Sequence, residues 1–179
     1  ESLVLKGLKK EVEAEFYEAI TRPPSVYRGY PFIIEAGIAY GGNLAADEPM
    51  RIMRLANRVP LQYQPGACAT TKDIINTNWR QYGLSQSSKS LAVGPVIILI
   101  HIASVWVPFT SESKEAIAHY PEIIKEMRLA LQECGRRLGK YIRRRKHHEM
   151  QQKRQSIFEM YISEVVNSVG NLTRINRDE

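Results

Sequence analysis

The sequence predicts an α/β fold, an α+β sandwich in which helices pack on a sheet, extended by a long C-terminal helix. Three observations predict it. Two segments alternate apolar and polar residues with a period of two, one segment is apolar almost throughout, and the last third carries apolar residues in steps of three and four. With 179 residues, 44% hydrophobic and 25% charged, the chain has apolar material for one core and a helical extension beside it.

From Leu3 to Ile20, the residues Leu5, Leu8, Val12, Phe16 and Ala19 recur at helical spacing and Pro23-Pro24 stop the run, so a first helix is predicted there. Pro31 to Tyr40 alternates, with Phe32, Ile34, Ala36, Ile38 and Tyr40 on one face, and Gly41-Gly42-Asn43 supplies turn residues; this is a first strand. Ile52 to Tyr63 alternates again. Met53, Leu55, Val59 and Leu61 face one way, Arg54, Arg58 and Gln62 the other, which predicts a second, one-sided strand with Asn57 an odd polar residue on its apolar face.

Cys68 to Tyr82 reads as a short amphipathic helix on Ala69, Ile74, Ile75 and Trp79, with Thr70 or Thr71 a cap candidate and Gly83 its end. After a polar loop at Ser85 to Ser90, the segment Pro95 to Val107 is almost continuously apolar and rich in β-branched residues, as a strand covered on both faces should be. From Ile117 the positions Tyr120, Ile124, Met127, Leu131, Cys134, Leu138 and Tyr141 form the seam of a helix lying along a partner, with Pro121 in its first turn. The seam lapses through Arg143 to Gln155 and resumes at Phe158, Ile162, Val165, Val169 and Leu172, so a stalk-like helix exposed all round its polar stretch is expected.

Composition excludes several classes. Cys68 and Cys134 are too few and too far apart for a disulfide framework or a zinc site, which fits a reducing compartment. The longest apolar run, Val96 to Val107, is about half of the ~20 residues a bilayer span needs and is interrupted by His101 and Ser104. There is no P-loop, dinucleotide-binding glycine loop or nucleophile elbow. His101, His119 and the adjacent His147-His148 make a poor metal set and are expected to be structural. A net charge of +6 suits work beside a polyanion. The chain opens Glu1-Ser2-Leu3 without an initiator Met, and is expected to be a piece of something longer.

Two features carry candidate chemistry. The first is Pro108-Phe109-Thr110-Ser111-Glu112-Ser113-Lys114, a loop leading from the buried strand to a helix. Ligand sites in α/β sheets favour strand ends, and a lysine there is a mobile point charge able to meet a terminal phosphate; the bland reading is a solvated lysine in a helix's first turn. The second is basic and aromatic: Trp79-Arg80-Gln81-Tyr82, and Arg136, Arg137, Lys140, Arg143, Arg144, Arg145 and Lys146 along the last helix. These residues suit phosphate contacts, against a bland reading of Trp79 as core and the arginines as a solubilising face.

Longer strings carry a resemblance. Thr21-Arg22-Pro23-Pro24-Ser25-Val26-Tyr27-Arg28-Gly29, Pro31-Phe32-Ile33-Ile34-Glu35-Ala36-Gly37-Ile38-Ala39-Tyr40-Gly41-Gly42, Leu55-Ala56-Asn57-Arg58-Val59-Pro60-Leu61 and Val107-Pro108-Phe109-Thr110-Ser111-Glu112-Ser113-Lys114-Glu115-Ala116-Ile117-Ala118 resemble the B subunit of archaeal and plant DNA topoisomerase VI. The match runs in order from about Leu3 into the last helix.

The resemblance implies a GHKL-type ATPase that binds ATP with magnesium mainly in a preceding domain, so that this segment alone does not hydrolyse ATP and holds no catalytic residue. It implies a ribosomal-protein-like transducer fold with residues 1–22 as a helix leading out of a helix-two-turn-helix domain, 23–118 as the transducer core, and 119–175 as the stalk toward the A subunit. It places Lys114 on the γ-phosphate and assigns DNA contact to Trp79, Arg80 and Tyr82, where Arg80 replaces the Lys of a Trp-Lys-x-Tyr motif. The implied partners are the A subunit, which holds the cleaving tyrosine, a second B subunit in an A2B2 heterotetramer, and double-stranded DNA, with no membrane. The implied activity is ATP-dependent type II relaxation and decatenation, in archaeal cytoplasm beside the nucleoid or in a plant nucleus. A basic α/β nucleic-acid-binding module without ATP coupling is the alternative, and a self-associating scaffold a second.

Overall fold

Alternating Phe32, Ile34, Ala36 and Ile38 form a strand because a sheet buried on that face removes each from water, and the longest strand of the protein, β3 (Tyr30–Tyr40), is built on them. The computed structural model describes the backbone from Ser2 to Ile175 and the side chains from Leu3 to Val169. It forms two compact units, Glu1–Tyr141 and Ile142–Glu179.

In the first unit, helix α1 (Ser2–Glu11) is followed by β1 (Phe16–Thr21), β2 (Ser25–Tyr27), β3, β4 (Arg51–Ala56), β5 (Val59–Pro60), helix α2 (Ala69–Asn76), a small β6–β7 ladder (Ser85–Gln86, Ala92–Val93) and β8 (Val96–Ser104). The main sheet runs β1-β3-β8-β4-β5, with β2 also on β3. β8 lies antiparallel to β3 and parallel to β4, so the chain between β4 and β8 crosses over through α2. All of Val96 to Ile102 is buried, as expected for a strand covered on both faces.

Register divides that core. Gly37, Ala39, Ile97 and Leu99 face α1, whose Val4 and Leu8 pack on them together with Val12 just past its end; Leu8 is fully buried, a contribution of about 2 kcal/mol. Gly37 has no side chain because a Cβ there would lie 2.6 Å from Leu8 Cδ1 and 2.7 Å from Val4 Cγ1. The opposite face carries the buried pairs Ile34–Ile102, Ala36–Ile100 and Ile38–Ile98. That face is covered by α2 and by helix α3 (Pro121–Ile175) up to Tyr141, where Ile123, Met127, Leu131, Cys134 and Leu138 are buried.

Four expectations are corrected. The first helix stops at Glu11, and Phe16–Thr21 is a strand on β3. Tyr17 makes the break: its hydroxyl donates to Val12 O (2.5 Å) and accepts from Ala14 N (2.6 Å). The strand over Ile52–Tyr63 is two strands joined at Asn57 and Arg58, whose φ values of 48° and 70° are those of a tight hairpin turn. Arg54 turns inward, its Nη2 donating to Leu61 O (2.8 Å) and Tyr63 O (3.0 Å), while Val59 is exposed. Thr70 and Thr71 lie inside α2, whose cap position is Cys68 and which ends at Asn76 rather than Tyr82, and the last helix begins at Pro121 rather than at 119, with Ile117 instead bridging to Phe109.

In the second unit α3 continues, and every described side chain from Arg143 to Val169 is exposed, including Phe158, Ile162, Val165 and Val169 of the second apolar seam. The side chain of Leu172 lies outside the described residues. No helix among the described residues is long and apolar enough to cross a membrane.

Candidate functional site

At the end of β8 the chain leaves the sheet into a looped hairpin. Phe109 and Ile117 form a β-bridge, Thr110 N donates to Ala116 O (2.8 Å) and Ala118 N to Pro108 O (2.8 Å), so residues 110–116 are a tip held from below. Lys114 sits in that tip, exposed, with φ 55° in the left-handed region and its N–H donating to Ser111 O (3.2 Å). It is therefore in a loop and not in a helix's first turn. Ser111 and Ser113 hydroxyls pair at 2.7 Å beside it, and Gln64 Nε2 donates to Glu115 Oε2 (2.7 Å). No ion pair to the Lys114 ammonium is found among the described residues. The loop lines an open cleft of about 390 Å³ with Asn57, Val105, Trp106 and Phe109. Glu112 lines the same cleft, so Lys114 is one cation beside one carboxylate: an ammonium without an ion pair can meet one terminal phosphate, and the loop is too poor in donors to hold a whole nucleotide.

The second candidate, Trp79–Tyr82, is a single 3-10 turn closed by Gly83 in the left-handed conformation. Trp79 is fully buried and its Nε1 donates to Ile74 O (2.8 Å). Tyr82 is buried too, its ring edge-on to Trp79 at 6.0 Å and against Gly135 of α3. The two rings expected on DNA are thus placed in the core, because each finds there an apolar wall that outweighs exposure. Arg80 alone of the three is exposed; its Nε donates to Gln86 O, and Gln86 in turn fastens the turn through Trp79 N (2.9 Å) and Ile75 O (3.1 Å).

Within the basic stretch, Arg137 is bound to Glu18 (2.8 Å) and Glu133 (3.2 Å), and Arg136 to Glu133, which stitches α3 to β1. Farther along, Arg145 pairs with Glu149 (3.0 Å) while Arg143, Arg144 and Lys146 are exposed. No three His, Cys, Asp or Glu side chains among the described residues are grouped to hold a metal.

Comparison with known proteins decides the family. The family model for the topoisomerase VI B subunit transducer matches residues 1–154. The chain belongs to that transducer family. Its relatives include the B subunit of type 2 DNA topoisomerase 6 from Natronomonas pharaonis, 46% identical over 97% of this chain and 22% of that protein. The same-named proteins of Methanococcoides burtonii and Archaeoglobus fulgidus are 53% and 50% identical, over 80% and 81% of this chain and 23% and 24% of their own lengths. The transducer thus spans about a quarter of the curated relatives it matches. The 43K ATPase domain of Thermus thermophilus gyrase B is a distant likeness, with a TM-score of 0.39 and 10% identity over 83% of this chain and 45% of that one.

The transducer also has polar residues around the Lys114 loop that spacing did not single out as a site. Asn57 bonds the last residue of β8, and His101 links β8 to both Glu35 of β3 and the β4–β5 turn. The signal for Asn57 was its polarity on an otherwise apolar face. No comparable signal marked Glu35.

Proposed function

We propose that this chain is the relay segment of an ATP-dependent type II DNA topoisomerase, and that Lys114 is its sensor of nucleotide state. The observation that carries the reading is an exposed lysine without a carboxylate partner, held at the tip of a braced loop on the end of the central strand. ATP with magnesium, held mainly by a preceding ATPase domain, supplies a terminal phosphate that is present before hydrolysis and absent after it. Lys114 meets that phosphate with up to three N–H donors, which favours one orientation of the transducer while the contact lasts. The braced hairpin transmits the constraint to β8 and the sheet, and α3 carries it toward an A subunit that cuts double-stranded DNA. A second B subunit completes an A2B2 assembly.

Arg80 is the DNA contact of the Trp79–Tyr82 turn in this reading, with Trp79 and Tyr82 holding it in place from the core. The test is the full-length B subunit assembled with its A subunit, with wild type compared to Lys114→Ala. ATP turnover and supercoil relaxation are both expected to fall by at least about tenfold, the order of a charge-assisted contact, with DNA binding retained. Unchanged turnover returns Lys114 to a solvated surface role and removes the trigger.

A further inference from the structure

The β4–β5 turn is tied down at both central residues, and the ties lead to the Lys114 loop. Asn57 Nδ2 donates to Ser104 O (2.9 Å) and Asn57 Oδ1 accepts from Ser104 N (3.0 Å), while Asn57 N donates to Ile102 O (2.8 Å). The side-chain amide thereby adds one rung beyond the parallel ladder that ends at Ala56–Ile102. Arg58 N donates to His101 Nε2 (3.1 Å), which makes that nitrogen the acceptor and places the proton on Nδ1, where it is donated to Glu35 Oε2 (2.8 Å). Ser104 is the last residue of β8 and the root of the loop; its hydroxyl donates to Pro31 O (2.9 Å) and accepts from Trp106 N (3.2 Å). Asn57 and Lys114 line the same cleft.

The backbone of the turn does not need the amide. Asn57 N, Arg58 N and Leu61 N already hold it, and both amide bonds go to one residue outside the turn. Those two bonds lie at the surface, where water replaces a lost partner at small cost. Ser104 is paired with Phe32 on its β3 side, and the two amide bonds hold it from the β4 side, at the point where the chain leaves the sheet.

We propose that Asn57 is a positioning residue for Lys114, its amide clamping Ser104 so that the loop leaves β8 in one direction, with His101 and Glu35 holding the turn that presents it. This rests on the reading of Lys114 as the phosphate contact. Asn57→Gly separates clamp from fold, because glycine adopts the left-handed φ of 48° freely while the side chain that carries the amide is removed.

The experiment is a double-mutant cycle in the full-length B subunit with its A subunit. Asn57→Gly is expected to lower kcat for ATP about tenfold with KM within about twofold, at an unfolding midpoint near that of wild type. Asn57→Asp, which keeps the acceptor for Ser104 N, is expected to fall between the two. On a Lys114→Ala background, Asn57→Gly is expected to cause no further loss. Full turnover of Asn57→Gly beside an impaired Lys114→Ala overturns the clamp alone, as does a loss that multiplies with that of Lys114→Ala. Full turnover of Lys114→Ala overturns the phosphate reading and the clamp with it.

Discussion

Gly135→Ala pits helix propensity against packing, and the structure decides the sign. Alanine in a helix interior is favoured over glycine by about 1 kcal/mol. At Gly135, however, the added Cβ would lie 2.2 Å from Tyr82 Cε2, 2.4 Å from Cδ2 and 2.7 Å from Cζ. Carbon pairs rest at about 3.5–4.0 Å, so the ring would have to retreat by more than ~1 Å. It is backed by Trp79, which is fully buried, so the ring cannot yield alone and the whole Trp79–Tyr82 turn must shift. Overpacking of this kind costs about 1–3 kcal/mol, and a rigid ring against a closed wall belongs at the upper end. The net loss is about 2 kcal/mol, a fall in Tm of roughly 4–8 °C for a chain of this size. Thermal unfolding followed by circular dichroism reads it directly, and Tyr82→Leu in the same chain is expected to restore most of the loss. An unchanged or raised Tm for Gly135→Ala would refute the packing argument.

Arg80→Ala is expected to leave Tm unchanged while weakening duplex DNA binding and reducing the slope of log affinity against log salt by about 1, the loss of one phosphate contact; an unchanged slope reduces Arg80 to its bond with Gln86. Burial raises the Asp73 carboxyl above its ordinary value, although Arg128 beside it pulls the other way. A carboxyl raised by folding contributes stability that is whole below its unfolded value and is lost as pH rises through the folded one, so Asp73→Asn is expected to gain on wild type in urea melts as pH is raised above about 4, the ordinary carboxylate value. A difference that stays flat or reverses contradicts that assignment. Burial pushes the Cys134 thiol up to about 12, so native protein is expected to resist alkylation at this residue until it unfolds; rapid native labelling would contradict its placement in the α3 seam.

What the sequence made legible follows from how locally each element is determined. β8 announces itself because burial on both faces leaves no polar residue to interrupt Val96 to Leu99, and Pro121 marks the first turn of α3 because that position needs no backbone donor. Phe16 and Ala19 continued the spacing of α1, but the open edge of β3 made a strand of them, a tertiary choice that no local pattern contains. The β4–β5 hairpin escaped notice because a two-residue turn preserves the period-two alternation on either side of it; Asn57 and Arg58 looked like strand residues. Lys114 drew attention from its place after the central strand, but its phosphate role came from the resemblance and not from its position. The helical spacing put Trp79 on an apolar face, where it is buried; it was the resemblance that set Trp79 and Tyr82 on DNA, and the Asn57–Ser104 clamp joins residues 47 apart in sequence.

The central claim is that contact of Lys114 with nucleotide is relayed to DNA cleavage. It is tested most directly by counting DNA cleavage complexes formed by the assembled A and B subunits with and without a non-hydrolysable ATP analogue. Wild type is expected to form more of them when the analogue is bound. Lys114→Ala, at analogue concentrations that saturate it, is expected to show no increase. An increase equal to that of wild type would contradict the relay.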